Sequence, residues 1–265
     1  MLFIRSVISQ KWFQIALFGT GLFILVDLAI RYTRHFGFVP TLIILGALIV
    51  PVAFAAYFYR QEYLLDRNIH GGIPLVMASI IFILSGIIGT IMAGVLEFQL
   101  DFDSKVALFL SASIIEEVTK LVFPIIIFFK SKYRTDVDGL VFGIASGMGF
   151  AAFETLGFGL VTLMSYLTDI TDLENILISR GLLAPLGHAA WTGLVCGALW
   201  HYRRKGKKIF LAVFAYFLLA VFLHLLWNLA FLSGKSAIMY PSFAAIGVVG
   251  LFLVFRRLNH AKRER

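Results

Sequence analysis

Cysteine occurs once in this chain, at Cys196. A single thiol excludes an internal disulfide and any metal cluster built on several cysteines. A cysteine nucleophile is disfavoured too, because Cys196 lies within the apolar run LVCGALW. Charge is equally scarce, with 14% Asp, Glu, Lys and Arg against 60% hydrophobic residues and 27 Phe. No stretch is both long and polar enough to build a water-soluble core, so residues 1–265 read as a single membrane domain. The N-terminal MLFIRSVISQKWFQ lacks a short apolar region followed by a small-residue cleavage site, and the first apolar run therefore reads as a retained span. Backbone in lipid must satisfy its own hydrogen bonds, and the apolar runs are far too long for barrel strands. The fold class is accordingly all-α.

Apolar runs long enough to span a bilayer number about eight: 13–30, 37–59, 74–96, 106–129, 139–165, 182–202, 209–231 and 238–255. Their connections are short, which predicts a compact polytopic helical bundle. Spans four to seven, 105–231, form its conical, water-accessible core, with 13–96 and 238–255 at the periphery. Of the 23 Lys and Arg, all but Arg31, Arg34, Lys105, Lys120, Arg180 and Lys235 fall in the N-terminal segment, the alternate loops that share its side, and the tail. That bias places both termini in the cytoplasm of a multi-pass protein of the cytoplasmic membrane. The opposite loops carry Glu97, Asp101, Asp103, Asp169, Asp172 and Glu174. The net charge of +8 thus reflects topology in a lipid bilayer, and no nucleic-acid partner is expected.

Against this background, charge inside a span stands out. Glu116, Glu117 and Lys120 interrupt the run SASIIEEVTKLVFP, where each ionised group costs roughly 2.5–3.5 kcal/mol on insertion scales. Their spacing puts both carboxylates, Lys120 and Ser113 on one side of a helix. The next span carries Gly139, Gly143 and Gly147 on one face, continued by Phe150 and Glu154. Small residues at this spacing let helices approach closely and place Glu154 in a tight helix contact. Span six contributes His188, a turn after Pro185, with Thr192 one turn further. Span seven contributes His224 and Asn228 on a shared face. Asp27, near the outer end of span one, reads as structural or solvated.

Depth joins these signals. By helical rise, Glu117 and Glu154 lie about 16 Å from the outer ends of their spans, and His188 and His224 about 9 and 10 Å. Four helices thus direct acid, base and amide groups to the outer half of the membrane. Three carboxylates face one lysine, so either a carboxyl keeps its proton or a divalent cation sits among the ligands. No internal repeat with matching broken helices is present, which weighs against a transporter.

These residues resemble the PrsW family of membrane-embedded proteases and, more distantly, the CAAX prenyl endopeptidase and bacteriocin-immunity superfamily. That superfamily pattern is two adjacent glutamates followed by a basic residue, then Phe and a polar residue four apart, then His and Asn four apart. Glu116 and Glu117 with Lys120, Phe150 with Glu154, and His224 with Asn228 match it. Glu154, in place of the histidine usual in prenyl endopeptidases, and His188 after an Arg and a Pro point to the PrsW branch. The resemblance covers roughly 105–231. It implies hydrolysis of a peptide bond in a membrane-anchored protein, in the PrsW case an anti-sigma factor cut on its extracytoplasmic side.

On this reading Glu117 is the general base, with Glu116 as the alternative. Lys120 holds the carboxylate pair, and Asn228 offers its amide to the developing oxyanion. Glu154, His188 and His224 either bind Zn²⁺ or, without metal, hydrogen-bond the attacking water and the leaving amine. An ion-coupled transporter and a non-catalytic binding or immunity protein are the two rival classes, because fold does not fix function.

Overall fold

The computed structural model describes residues 7–66, 72–130, 132–165, 170–203 and 208–263. The chain runs α1 (Lys11–Thr33), a 3₁₀ turn (Phe36–Phe38), α2 (Val39–Asp66), α3 (Leu75–Phe98), α4 (Lys105–Phe129) and α5 (Asp136–Ser165). It continues through α6 (Ile170–Ala184), a π-helical turn (Pro185–Ala189), α7 (Ala190–Tyr202), α8 (Lys208–Leu232) and α9 (Ser236–Arg263). No strand occurs among the described residues. Since α6, the π turn and α7 run on without a break, the described residues form eight long helical rods, as the apolar runs predict.

Seven of these rods are long and apolar enough to cross a membrane. The remaining one, α4, has 25 residues, about 37 Å at the helical rise and more than a bilayer core of about 30 Å. Only Glu116, Glu117 and Lys120 keep it from reading as apolar.

One boundary differs substantially from the expected one. The sixth span, predicted over 182–202, belongs to a helical unit that starts at Ile170. The added segment carries Asp172, Glu174 and Arg180 and is too polar to resemble a span. Leu173 and Leu177, one turn apart, are nevertheless buried beside Leu42 and Ile43 of α2. That narrow apolar stripe is enough to dock the helix.

The central rod is α5, packed on α2, α3 and α7. Its glycines permit this. A Cβ at Gly139, Gly143 or Gly147 would stand 2.6, 2.6 and 2.2 Å from the carbonyl oxygens of Cys196, Thr192 and His188, respectively. On the other face, a Cβ at Gly149 would meet the Phe82 carbonyl of α3 at 1.9 Å. Both contacts are against main chain, which cannot rotate away.

A second interhelical lock follows from Pro124, buried inside α4. Proline has no N–H, so the Lys120 carbonyl loses the intrahelical partner it would have four residues on. The Ser146 hydroxyl of α5 donates to that carbonyl instead, and the bond fixes the backbone beneath Lys120. Farther out, Arg31 of α1 pairs with Asp27 at 2.9 Å and with Glu174 of α6. Asp27 therefore belongs to a tether between α1 and α6.

Candidate active site

On α4 the three-and-four spacing brings Lys120 onto both neighbouring glutamates. Its Nζ lies 3.1 Å from Glu116 Oε2 and 2.8 Å from Glu117 Oε1. The ammonium is wholly buried, and the Phe150 ring of α5 covers it with its centroid 4.4 Å away. A lysine so enclosed is held by its two carboxylates and by the face of the ring.

Helix α8 completes this half of the cluster. His224 Nδ1 lies 2.9 Å from Glu117 Oε1, and its Nε2 is 3.7 Å from Glu116 Oε2. The Trp191 ring stacks on the imidazole at 4.7 Å, fixing its plane. One turn on, Asn228 donates its amide to Ser113 Oγ at 3.2 Å. Glu117 thus has one oxygen held by two donors, while Oε2 is buried without a hydrogen-bond partner.

The other half is built by α5, α6 and the π turn. Pro185 opens that turn, and short π segments recur at functional sites because they re-aim side chains within a helix. Here the turn carries His188, whose Nε2 is 3.4 Å from Glu154 Oε2. Arg180 of α6 reaches the same oxygen at 2.7 Å, and its guanidinium lies 4.0 Å from the centroid of Phe158. Glu154 therefore stands on a cavity wall, beyond the tight glycine contact in which the spacing placed it. The His188 and His224 rings, 5.6 Å apart, join the two halves.

All seven site residues expected from sequence, Glu116, Glu117, Lys120, Glu154, His188, His224 and Asn228, converge here. Arg180 joins them, although its position in a polar segment had suggested an outer loop. Its presence changes the charge count. The three expected carboxylates face two cations rather than one, and Glu97 at the end of α3, near enough to interact with Glu116, Glu154 and Lys120, adds a fourth acid.

Ligand atoms of Glu116, Glu154 and His188 all lie within 4.8 Å of one another, close enough to hold one metal ion. Two carboxylate oxygens and an imidazole nitrogen suit Zn²⁺. In a tetrahedral site, Zn–ligand bonds of about 2.0–2.1 Å set neighbouring ligand atoms about 3.3–3.4 Å apart, and the His188–Glu154 separation is 3.4 Å. The donor set therefore fits a metal. His224, also expected as a ligand, is not among the three whose ligand atoms lie within 4.8 Å of one another; its Nδ1 is on Glu117, and its Nε2 lies 3.7 Å from Glu116 Oε2. Buried atoms of the cluster, Glu117 Oε2, His188 Nδ1 and Thr192 Oγ1, have no hydrogen-bond partner. Such atoms mark a place for water or ligand.

A cavity of about 160 Å³ opens onto the cluster, with Glu154, Arg180, His188, His224 and Asn228 in its wall. Its remaining lining is mainly apolar and comes from α5, α6, α8 and α9.

No curated protein and no solved structure matches the chain. Among protein families, residues 71–256 match the PrsW family intramembrane metalloprotease model. The match extends past 105–231 to take in α3 and most of α9, and every cluster residue lies inside it. An intramembrane protease acts on a protein substrate within the bilayer and, as a metalloprotease, uses a metal, which the buried acid–histidine cluster is suited to bind. The chain belongs to the PrsW family of intramembrane metalloproteases.

Proposed function

We propose that the cluster hydrolyses a peptide bond of a membrane-anchored protein near the outer half of the cytoplasmic membrane. The substrate class is a regulator of the anti-sigma factor type, as the family resemblance implies. The observation that carries the chemistry is the asymmetric holding of Glu117. Lys120 and His224 grip one oxygen, and the other is buried without a hydrogen-bond partner.

In this reading Glu117 takes the proton of the attacking water through Oε2 and delivers it to the leaving amine. Lys120 keeps the carboxylate ionised and in place. His224 sets its rotation and is itself held flat against Trp191. Asn228 turns its amide from Ser113 toward the oxyanion that develops on the scissile carbonyl. A divalent cation, Zn²⁺ by its donor set of Glu116, Glu154 and His188, would polarise the carbonyl and acidify water when bound. Arg180 is a positioning residue that holds Glu154 by the same oxygen that His188 approaches.

Metal dependence can be tested directly. Dialysis of the purified protein against a strong chelator is expected to abolish cleavage, and about one equivalent of Zn²⁺ should restore it. Glu154→Gln and His188→Ala should each lower bound zinc. Full activity in protein without stoichiometric metal would refute the metal assignment.

Orientation rests on the Lys and Arg bias, which puts both termini in the cytoplasm and the α3–α4, α5–α6 and α8–α9 connections outside. Reporter fusions after Asp103 and after Lys207 should therefore report opposite sides, the first external. Finding both on one side would overturn the arrangement.

A further inference from the structure

We propose that the cavity beside the cluster is a specificity pocket that receives one bulky apolar side chain of the substrate, next to the scissile bond. This rests on the proteolytic reading of the site. The volume, about 160 Å³, resembles that of an apolar cavity of about 150 Å³ known to take benzene. One Leu, Met or Phe side chain fills such a space, whereas Ala leaves most of it empty.

The lining divides in two. Glu154, His188, His224 and Asn228 form a polar floor, while Phe158, Leu183, Trp227, Phe231 and Phe243 form apolar walls. A residue whose side chain lies against these walls has its peptide group beside the reactive floor. Trp227 stacks on Phe243 at 4.1 Å, which gives α8 and α9 a shared, stiff wall. Phe158 and Phe231 are 44% and 64% exposed at the rim, so the mouth is continuous with the lipid-facing surface along which a membrane-anchored segment arrives.

Charge supports an apolar occupant. Among the described residues Arg180 is the one Lys or Arg of the lining, and its guanidinium is paired with Glu154 and covered by Phe158. An acidic substrate side chain would meet no free counter-charge, and a charge of either sign would lose its water against Phe158, Leu183, Trp227, Phe231 and Phe243. One methylene more or less in an apolar pocket changes specificity by about 10–200-fold. Leu or Phe at this position should therefore exceed Ala by at least about 100-fold.

Ser179 provides a way to block the pocket without touching the cluster, since its hydroxyl returns to the Asn175 and Ile176 carbonyls of its own helix, at 2.6 and 3.2 Å. Membrane proteins cut in cells expressing wild type but not Glu117→Gln should share Leu, Ile, Met or Phe at one fixed position beside the cut. Ser179→Phe should shift that position toward Ala and Gly. Cuts without such a preference would overturn the pocket and leave the protease standing, whereas identical cuts with Glu117→Gln would remove the protease reading. A binding measurement is independent of turnover. A single-span peptide bearing p-bromophenylalanine should quench Trp227 fluorescence saturably in detergent, taken as the difference between wild type and Trp227→Phe. The quenching should disappear in Ser179→Phe. Equal quenching in the blocked variant, or equal competition by the same peptide with Ala, would overturn the proposal.

Discussion

Glu117→Gln is expected to reduce cleavage of a membrane-anchored substrate by about 10²- to 10⁴-fold, the range that a positioned general base contributes. The exchange keeps side-chain size, and its carbonyl oxygen can still accept from Lys120 and His224, which hold Glu117 Oε1 at 2.8 and 2.9 Å. What disappears is the ability of the second oxygen to take a proton. Glu116→Gln provides the comparison. Glu116 belongs to the metal-compatible group with Glu154 and His188, so its loss should lower bound zinc, whereas Glu117→Gln should retain it. Rates in vesicles reconstituted with each variant, alongside zinc content, separate the two roles. Near wild-type cleavage by Glu117→Gln would remove Glu117 as the base, and equal loss of zinc in both variants would show that the adjacent carboxylates do not divide the work.

Why the site is legible in sequence, and where legibility ends, follows from the price of charge in lipid. Glu116, Glu117 and Lys120 stand out because no apolar span tolerates them without reason, and the four-residue glycine spacing on α5 by itself implies a close backbone contact. The family pattern adds His188, His224 and Asn228, and the fold brings them to the same cluster. Arg180 escapes because its helix reads as loop. Ile170–Ala184 contains Asp172, Glu174 and Arg180, and only Leu173 and Leu177 betray the buried stripe. The balance of three carboxylates against one lysine fails for the same reason, since the missing cation lies in that segment. Pro124 and Pro185 are the readable signs of two further features. One opens the Lys120 carbonyl to Ser146, and the other begins the π turn that carries His188. Neither proline names its partner, because that depends on which helix lies alongside, and a single sequence does not encode it locally.

Lys120→Met is expected to lower stability by about 3–5 kcal/mol, the scale of removing one partner from a buried ionic group. Methionine replaces much of the aliphatic stem, so the loss is mainly of charge. Glu116 and Glu117, 9% and 1% exposed, would then face each other without their shared cation, and the cover of Phe150 over the ammonium would have nothing to attract. Thermal unfolding in detergent measures the effect. Adding Glu116→Gln and Glu117→Gln to Lys120→Met removes the orphaned charges along with the lysine. The triple variant should regain most of the lost stability, since neutral replacement of buried ion clusters is often no worse than the cluster itself, and it should remain inactive. That combination of restored stability and absent cleavage would show that the buried charges serve the reaction and that Lys120 serves the charges. A Lys120→Met protein as stable as wild type would show instead that the carboxylates are neutralised by something other than the lysine, and would transfer the role of charge partner to Arg180 or to a bound cation.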